Sequence, residues 1–297
     1  MKKSTKHNIH GVILLDKPIG MSSNQALQKV KWLLNAKKAG HTGSLDPLAT
    51  GLLPLCFGQA TKVSQYLLDS HKKYETVIRL GETSNTFDSE GEILESKPVD
   101  VTQAQIEAAL QQFRGQIKQV PPMYSAIKKD GQPLYKLARK GQTIERPARD
   151  MTVHNLTATL LDAQHVKLKV HCSSGFYIRS LAHDIGQALG CGAHVVKLRR
   201  TDIKAISVEQ AHTIEQLESA CLDSVLLPID SLLSHLPKLE ISDAQALSLT
   251  QGKLTQAQGL KSDELTRFYT PNQHLFGVGE VTSQGLIKTH KMFIDVD

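Results

Sequence analysis

The apolar positions of this chain fall into two rhythms. Residues 11–15, GVILL, form an unbroken apolar run that ends on the turn cluster DKPIG at 16–20, as a buried strand does. LLPLCFG at 52–58 reads the same way. KYETVIRLG at 73–81 instead alternates apolar and polar positions, the pattern of a sheet strand, and the polar turn SNTFDSEGE follows it. The stretch at 152–175 reads as two strands around a turn near Asp162 and His165, and HVVKLRR at 194–200 as one more. Helical spacing predicts helices over 22–35 (Leu27, Val30, Leu34), 60–70, 102–115 (Ile106, Leu110, Phe113) and 176–190 (Ile178, Leu181, Ile185, Leu189). Ser22 with Gln25, and Ser242 with Gln245, have capping-box spacing, the second pair opening a helix over 242–253. Residues 119–131, proline-broken and basic, read as loop. Strands and helices mix without a steady βαβ rhythm, so the predicted class is α+β. Pro228 and Pro237 bracket a change of pattern, and 275–296 reads as an antiparallel meander. A boundary near residue 235 is therefore expected, with a main domain at 1–235 and a small β-rich one at 236–297.

Composition adds a partner. The 297 residues are 40% apolar and 22% charged, a globular balance with room for a sizeable core. No run approaches the roughly 18 apolar residues of a membrane span. The apolar run of the basic N-terminus is too short for a signal peptide, and the expected location is the cytoplasm. Cys191 and His194 have C-x-x-H spacing without a second ligand pair, so Cys56, Cys172, Cys191 and Cys221 read as buried free thiols and no metal site is expected. Charge is uneven: residues 1–205 hold 29 Lys/Arg against 17 Asp/Glu, and residues 206–297 hold 6 against 12. The densest stretch, 128–149, carries seven basic and two acidic residues and begins with Lys128 and Lys129. A solvated face would account for some of this; an excess so local points to a polyanion.

Several chemistries lose ground. The chain has no phosphate-loop signature, no G-x-G-x-x-G opening a helix, no H-E-x-x-H, no G-x-S-x-G elbow and no zinc-deaminase pattern. What remains is binding, or chemistry done by side chains alone. The loop GHTGSLDPLATG at 40–51 raises the same choice, since its one acidic residue, Asp46, suits either a turn before proline or a reacting carboxylate.

Five blocks decide what the chain resembles: LLDKPIGMSSN (14–24), GHTGSLDPLATGLLPLCFGQATK (40–62), KKYETVIRLG (72–81), PPMYSAIKKDGQPLYKLARKG (121–141) and SSGFYIRSLAHDIG (173–186). With VVKLRRT at 195–201 they strongly resemble the bacterial tRNA pseudouridine-55 synthases of the TruB family, in order and spacing. The resemblance implies a mainly antiparallel catalytic sheet, a PUA-like C-terminal domain and a reaction needing no cofactor or metal. It implies that Asp46 is the nucleophilic or charge-stabilising carboxylate and that Arg179 keeps it ionised. Tyr74 would stack on the target uracil, Tyr177 and Leu198 would wall the pocket, and Lys17 would support it. His41 would fill the space left by a flipped base, and segment 121–150, with Lys128 and Lys129, would clamp the T-arm of tRNA. A monomer is expected. The family usually shows T-D-T where Ser84, Asn85 and Thr86 stand, so a contact needing a carboxylate at Asn85 would fall to an amide. Three alternatives remain: a tRNA folding helper without catalysis, a synthase acting on another RNA, and a hydrolase using Asp46 with His41, which lacks an oxyanion-hole motif.

Overall fold

The computed structural model describes residues 5–257 and 262–293. The central nine-stranded sheet draws on β1 (Gly11–Lys17), β2 (Ala39–His41), β3 (Ala49–Phe57) and β4 (Lys72–Leu80). A small separate hairpin, β5 (Glu82–Ser84) with β6 (Ile93–Ser96), follows, then β7 (Gly115–Gln119) of the main sheet. A second hairpin, β8 (Lys128–Lys129) with β9 (Gln132–Pro133), precedes β10 (Arg149–Leu160), β11 (His165–Cys172), β12 (Ala193–Ile203) and β13 (Ile206–Ser207). The strand order is β1-β3-β12-β4-β11-β10-β7, with β2 on β3 and β13 on β12. Every pairing in this sheet is antiparallel except β3 with β12.

The two apolar rhythms have a physical cause. On β1, Ile13 and Leu15 enter the large core while Val12 and Leu14 enter a second core on the opposite face; Leu53 and Leu55 of β3 likewise oppose Leu52 and Cys56. Both faces are covered, so each strand carries an unbroken apolar run, GVILL in β1 and LLPLCF in β3. On β4 only Tyr74, Ile78 and Leu80 face the large core; Lys73 on the other face is exposed, and Glu75, Val77 and Arg79 are half-buried. Helices α1 (Ser23–Leu33), α2 (Gln65–Leu68), α3 (Gln103–Leu110), α4 (Leu134–Ala138) and α5 (Ile178–Ala188) lie between these strands in sequence. Ala26, Leu27 and Val30 of α1, Ile106 and Leu110 of α3, and Ile178, Leu181 and Ile185 of α5 cover the large core. Each such fully buried aliphatic side chain contributes about 1.5–3 kcal/mol. The second core is closed by Ile229, Leu232 and Leu233, and by Val278 and Phe293 from the C-terminal sheet.

That second sheet has five strands in the order β14 (Lys238–Glu240), β16 (Ser262–Tyr269), β17 (Leu275–Val281), β18 (Leu286–Met292) and β15 (Thr255–Gln256). Its own core holds Ile241, Leu249, Phe268, Phe276, Val281 and Ile287. The Tyr269 hydroxyl donates to Asp230, and the Lys62 ammonium to the carbonyl of Met292, at 2.8 Å, tying the two sheets together.

The sequence pattern erred in places. The helix expected over 60–70 is a 3-10 turn at Gly58–Lys62 followed by only the four residues of α2, because neither Phe57 nor Ser64 supplies a side-chain cap. The helix expected over 102–115 ends at Leu110 and tightens into a 3-10 turn. β14 and β16 went unforeseen, and residues 294–296 of the expected meander lie outside the described residues. Cys221 is exposed, unlike the other three thiols.

Candidate active site

The loop carrying Asp46 is pinned on both sides of it. Ser23, the first residue of α1, accepts from the Leu45 amide at 2.7 Å and donates back to the Leu45 carbonyl at 3.1 Å. The Gly20 amide donates to the Pro47 carbonyl at 2.8 Å, and the Ala49 amide to that of Asp46 at 3.0 Å. Leu45 and Leu48 anchor the loop in the core. At its exit Gly51 has φ +101°, and a Cβ there would lie 2.2 Å from the Arg200 carbonyl oxygen, so only glycine lets β3 and β12 approach. A turn this tightly held does more than reverse the chain: it aims one side chain.

That side chain meets Arg179. Asp46 Oδ2 accepts from Arg179 Nε at 2.9 Å; the arginine side chain is 6% exposed and the aspartate 41%, open to water on one side. Arg179 sits one residue into α5, whose N-terminus is held by Gln119 at the end of β7. Gln119 Oε1 accepts from the Tyr177 amide at 2.8 Å and its Nε2 donates to the Tyr177 carbonyl at 3.0 Å. The rest of the guanidinium is occupied. It donates to the carbonyls of Thr86 (3.0 Å) and Tyr124 (2.7 Å) and lies 3.4 Å from Asp88 Oδ2.

Charge around Asp46 is balanced rather than one-sided. Burial pushes its carboxyl above the ordinary value; Arg179 pulls it down, Asp88 adds to the rise, and Lys17 lowers it slightly. Arg179 thus opposes the protonation that burial favours, and the net direction is upward. Lys17, at the end of β1 and fully buried, donates to the carbonyls of Pro18 (2.8 Å) and Met21 (2.6 Å). Burial brings its pKa down to about 8.

The other expected residues are placed as follows. Tyr74 is 9% exposed on β4, its phenol pushed up by burial and pulled back by the Arg200 guanidinium, with the Asp46 charge also reaching it. Tyr177 caps α5 and is half-buried; burial raises its phenol too, and Asp46 and Arg179 are among its charged neighbours. Leu198, on β12, pairs with Thr76 and Ala49 and lines a groove with Leu48 and Thr50. His41 ends β2 at the start of the loop; burial and then Arg200 lower its pKa, and its Nδ1 has no hydrogen-bond partner among the described residues. Lys128 and Lys129 are exposed on the β8–β9 hairpin, an outlying basic surface rather than part of the Asp46 cluster. Asn85 makes no ion pair with Arg179; its amide oxygen accepts from the Glu92 amide at 3.1 Å.

Comparison with known proteins supplies the family. Residues 31–178 match the TruB family pseudouridylate synthase (N terminal domain), 179–234 the tRNA pseudouridylate synthase B C-terminal domain, and 237–293 the C-terminal unit of pseudouridine synthase II TruB. The tRNA pseudouridine synthase B of Stutzerimonas stutzeri (strain A1501) is 52% identical across 98% of this chain and 97% of its own length. That of Pseudomonas aeruginosa (strain UCBPP-PA14) is 51% identical across 98% of each. The chain belongs to the TruB family. Among solved structures, a chain of a Cbf5-Nop10-Gar1 complex superposes with a TM-score of 0.74 at 29% identity, covering 97% of this chain and 86% of that one. A chain from an H/ACA RNP bound to a substrate RNA containing 2'-deoxyuridine gives 0.74 at 28%, with the same coverage.

Within this TruB-family site, sequence reasoning missed Gln119, described above, and two charged residues. Asp88 was read as part of a polar turn, and nothing local says that its turn closes onto α5. Arg200 is 1% exposed, donates to the Leu52 carbonyl at 2.8 Å, and reaches the Ser44 carbonyl of the Asp46 loop at 3.5 Å. Its signal was available: Arg200 follows Leu198 at the two-residue spacing of one strand face, so an inward leucine implies an inward arginine.

Proposed function

We propose that the chain isomerises uridine to pseudouridine in the T-loop of tRNA, at position 55. The N1–C1′ bond opens, the uracil turns, and C5 bonds to C1′; C5 gives up a proton and N1 gains one, so atoms balance without a redox partner. Asp46 supplies the nucleophilic or charge-stabilising carboxylate at the opening bond, attacking either C1′ of the sugar or C6 of the base. Arg179 orients it and opposes the protonation that enclosure favours. Tyr74 stacks on the uracil beside the carbon that loses its proton, and Tyr177 and Leu198 wall the pocket. The base reaches them only when flipped from the folded loop, and His41, with its flat ring at the start of the Asp46 loop, is suited to fill the vacated stack. Segment 121–150, with Lys128 and Lys129, clamps T-arm phosphates. The chain works as a cytoplasmic monomer built of a catalytic unit at 1–235 and a PUA-like unit at 236–297.

One observation carries this reading: a pinned loop presents a half-open carboxylate, 2.9 Å from a buried guanidinium and within electrostatic reach of Tyr74 and Tyr177. Tritium release from tRNA labelled at C5 of uridine is the test. Release is expected with wild type and not with Asp46→Asn; no release from either would leave a folding helper, and equal release from both would assign the chemistry to a different group.

A further inference from the structure

Beyond the residues that would touch RNA, α5 holds the site through a second side chain. His183 lies one turn after Arg179 on the same helix face. Its ring stacks on Phe87, with centroids 4.0 Å apart and planes at 16°. Phe87 is the middle of the short turn that separates two partners of Arg179, the Thr86 carbonyl at 3.0 Å and the Asp88 carboxylate at 3.4 Å. The same turn is drawn tight by its own bonds. Thr86 Oγ1 donates to Asp88 Oδ1, the Phe87 amide to the Ser84 carbonyl at 3.2 Å, and Ser84 Oγ to the Asp88 carbonyl at 2.6 Å.

Phe87 pays no local dividend for being there. Its φ is +63°, in the left-handed region that suits glycine and strains a bulky side chain. Strain of this kind persists where the surroundings over-determine it, and here the surrounding group is an imidazole face. His183 Nδ1 has no hydrogen-bond partner among the described residues, and burial keeps the ring's pKa below its ordinary value. The ring acts as a flat packing surface. The turn is clipped to the sheet on its far side, where the Val195 amide donates to the Phe87 carbonyl at 3.0 Å and the Ser89 amide to the Val195 carbonyl at 2.9 Å.

We infer that the Phe87–His183 stack is a positioning device, which holds Thr86 and Asp88 in register with Arg179 and through that arginine aims Asp46. Neither ring touches the reacting atoms; both act through Arg179. A misplacement of about 1 Å can cost on the order of a hundredfold in rate, so partial release of the turn is expected to cost about tenfold. The inference rests on the proposed isomerase reading.

The test pairs single-turnover rates at saturating tRNA with tRNA affinity and thermal unfolding. Phe87→Gly suits the left-handed backbone, so the variant is expected to fold with an unfolding midpoint near wild type. Its single-turnover rate should fall about tenfold while its affinity for tRNA is unchanged. His183→Ala should lose rate similarly, and His183→Phe, which keeps a flat ring over Phe87, should restore most of it. A wild-type rate in Phe87→Gly would overturn the inference. So would a His183→Phe variant as slow as His183→Ala, since that points to the imidazole nitrogens rather than the stacked face. If wild type itself makes no pseudouridine, the isomerase reading fails first; if wild type is active, Asp46→Asn inert and Phe87→Gly as fast as wild type, only the positioning role fails.

Discussion

Two carboxylates face the same guanidinium from two different loops, and the molecule treats them oppositely. Asp88 is 4% exposed and closes its own turn, accepting from Thr86 Oγ1 and from the Glu90 amide at 3.1 Å while Arg179 lies at 3.4 Å. Asp46 is 41% exposed, and its hydrogen-bonded partner among the described residues is Arg179 alone. One is an anchor with its lone pairs occupied; the other keeps an oxygen free on the open side. Proximity to a cation therefore does not identify a reacting carboxylate. The difference lies in what else each oxygen must hold.

The strongest way to break this comparison is to neutralise each acid in turn. Asp46→Asn is expected to lower single-turnover isomerisation by at least about a thousandfold without unfolding the protein. Burial raises the Asp46 pKa, so the folded state binds that proton more tightly than the unfolded chain does. Ionised Asp46 thus lowers stability at neutral pH, and its thermal midpoint as Asn should equal or exceed wild type. Asp88→Ala should do the reverse in kind. It removes one member of a buried ion pair, at a cost of about 3 kcal/mol, visible as a lower denaturant midpoint, with slowed rather than abolished turnover.

Acidity offers a finer probe. With the Asp46 pKa raised, the rate should fall as pH drops through a value above the usual carboxylate range. Lys17 is one of the cations lowering that pKa, so Lys17→Met is expected to move the acid limb of the pH–rate profile to higher pH; an unmoved limb would detach Lys17 from Asp46. The smallest effect belongs to the outlying hairpin. Lys128→Ala with Lys129→Ala should weaken tRNA binding and reduce the slope of log affinity against log salt by about 2, leaving the saturated single-turnover rate unchanged.

Much of the fold was legible because burial writes itself into the pattern. The unbroken GVILL and LLPLCF runs belong to strands covered on both faces, and the alternation of KYETVIRLG to one covered on a single face. Capping boxes mark the starts of α1 and of the helix at Asp243–Thr250. Asp46, Arg179, Tyr74 and Tyr177 came from family-like blocks, and the structure gathers them. What stayed hidden depends on long-range closure: Asp88 onto α5, Gln119 onto the Tyr177 backbone, Arg200 under the Asp46 loop. Each is a polar residue whose partner is a backbone group or a charge far away in sequence, so no local period reveals it. The overlong helix at 60–70 failed for a related reason, since apolar spacing there was real but caps were missing.

The most direct measurement is primer extension across position 55 of a carbodiimide-treated tRNA transcript, after long incubation with Asp46→Asn or Asp88→Asn beside wild type. The stop that marks pseudouridine is expected with wild type and, more slowly, with Asp88→Asn, and to be missing with Asp46→Asn at every time. A full stop produced by Asp46→Asn, or a stop lost only with Asp88→Asn, would contradict the division of labour between the two acids.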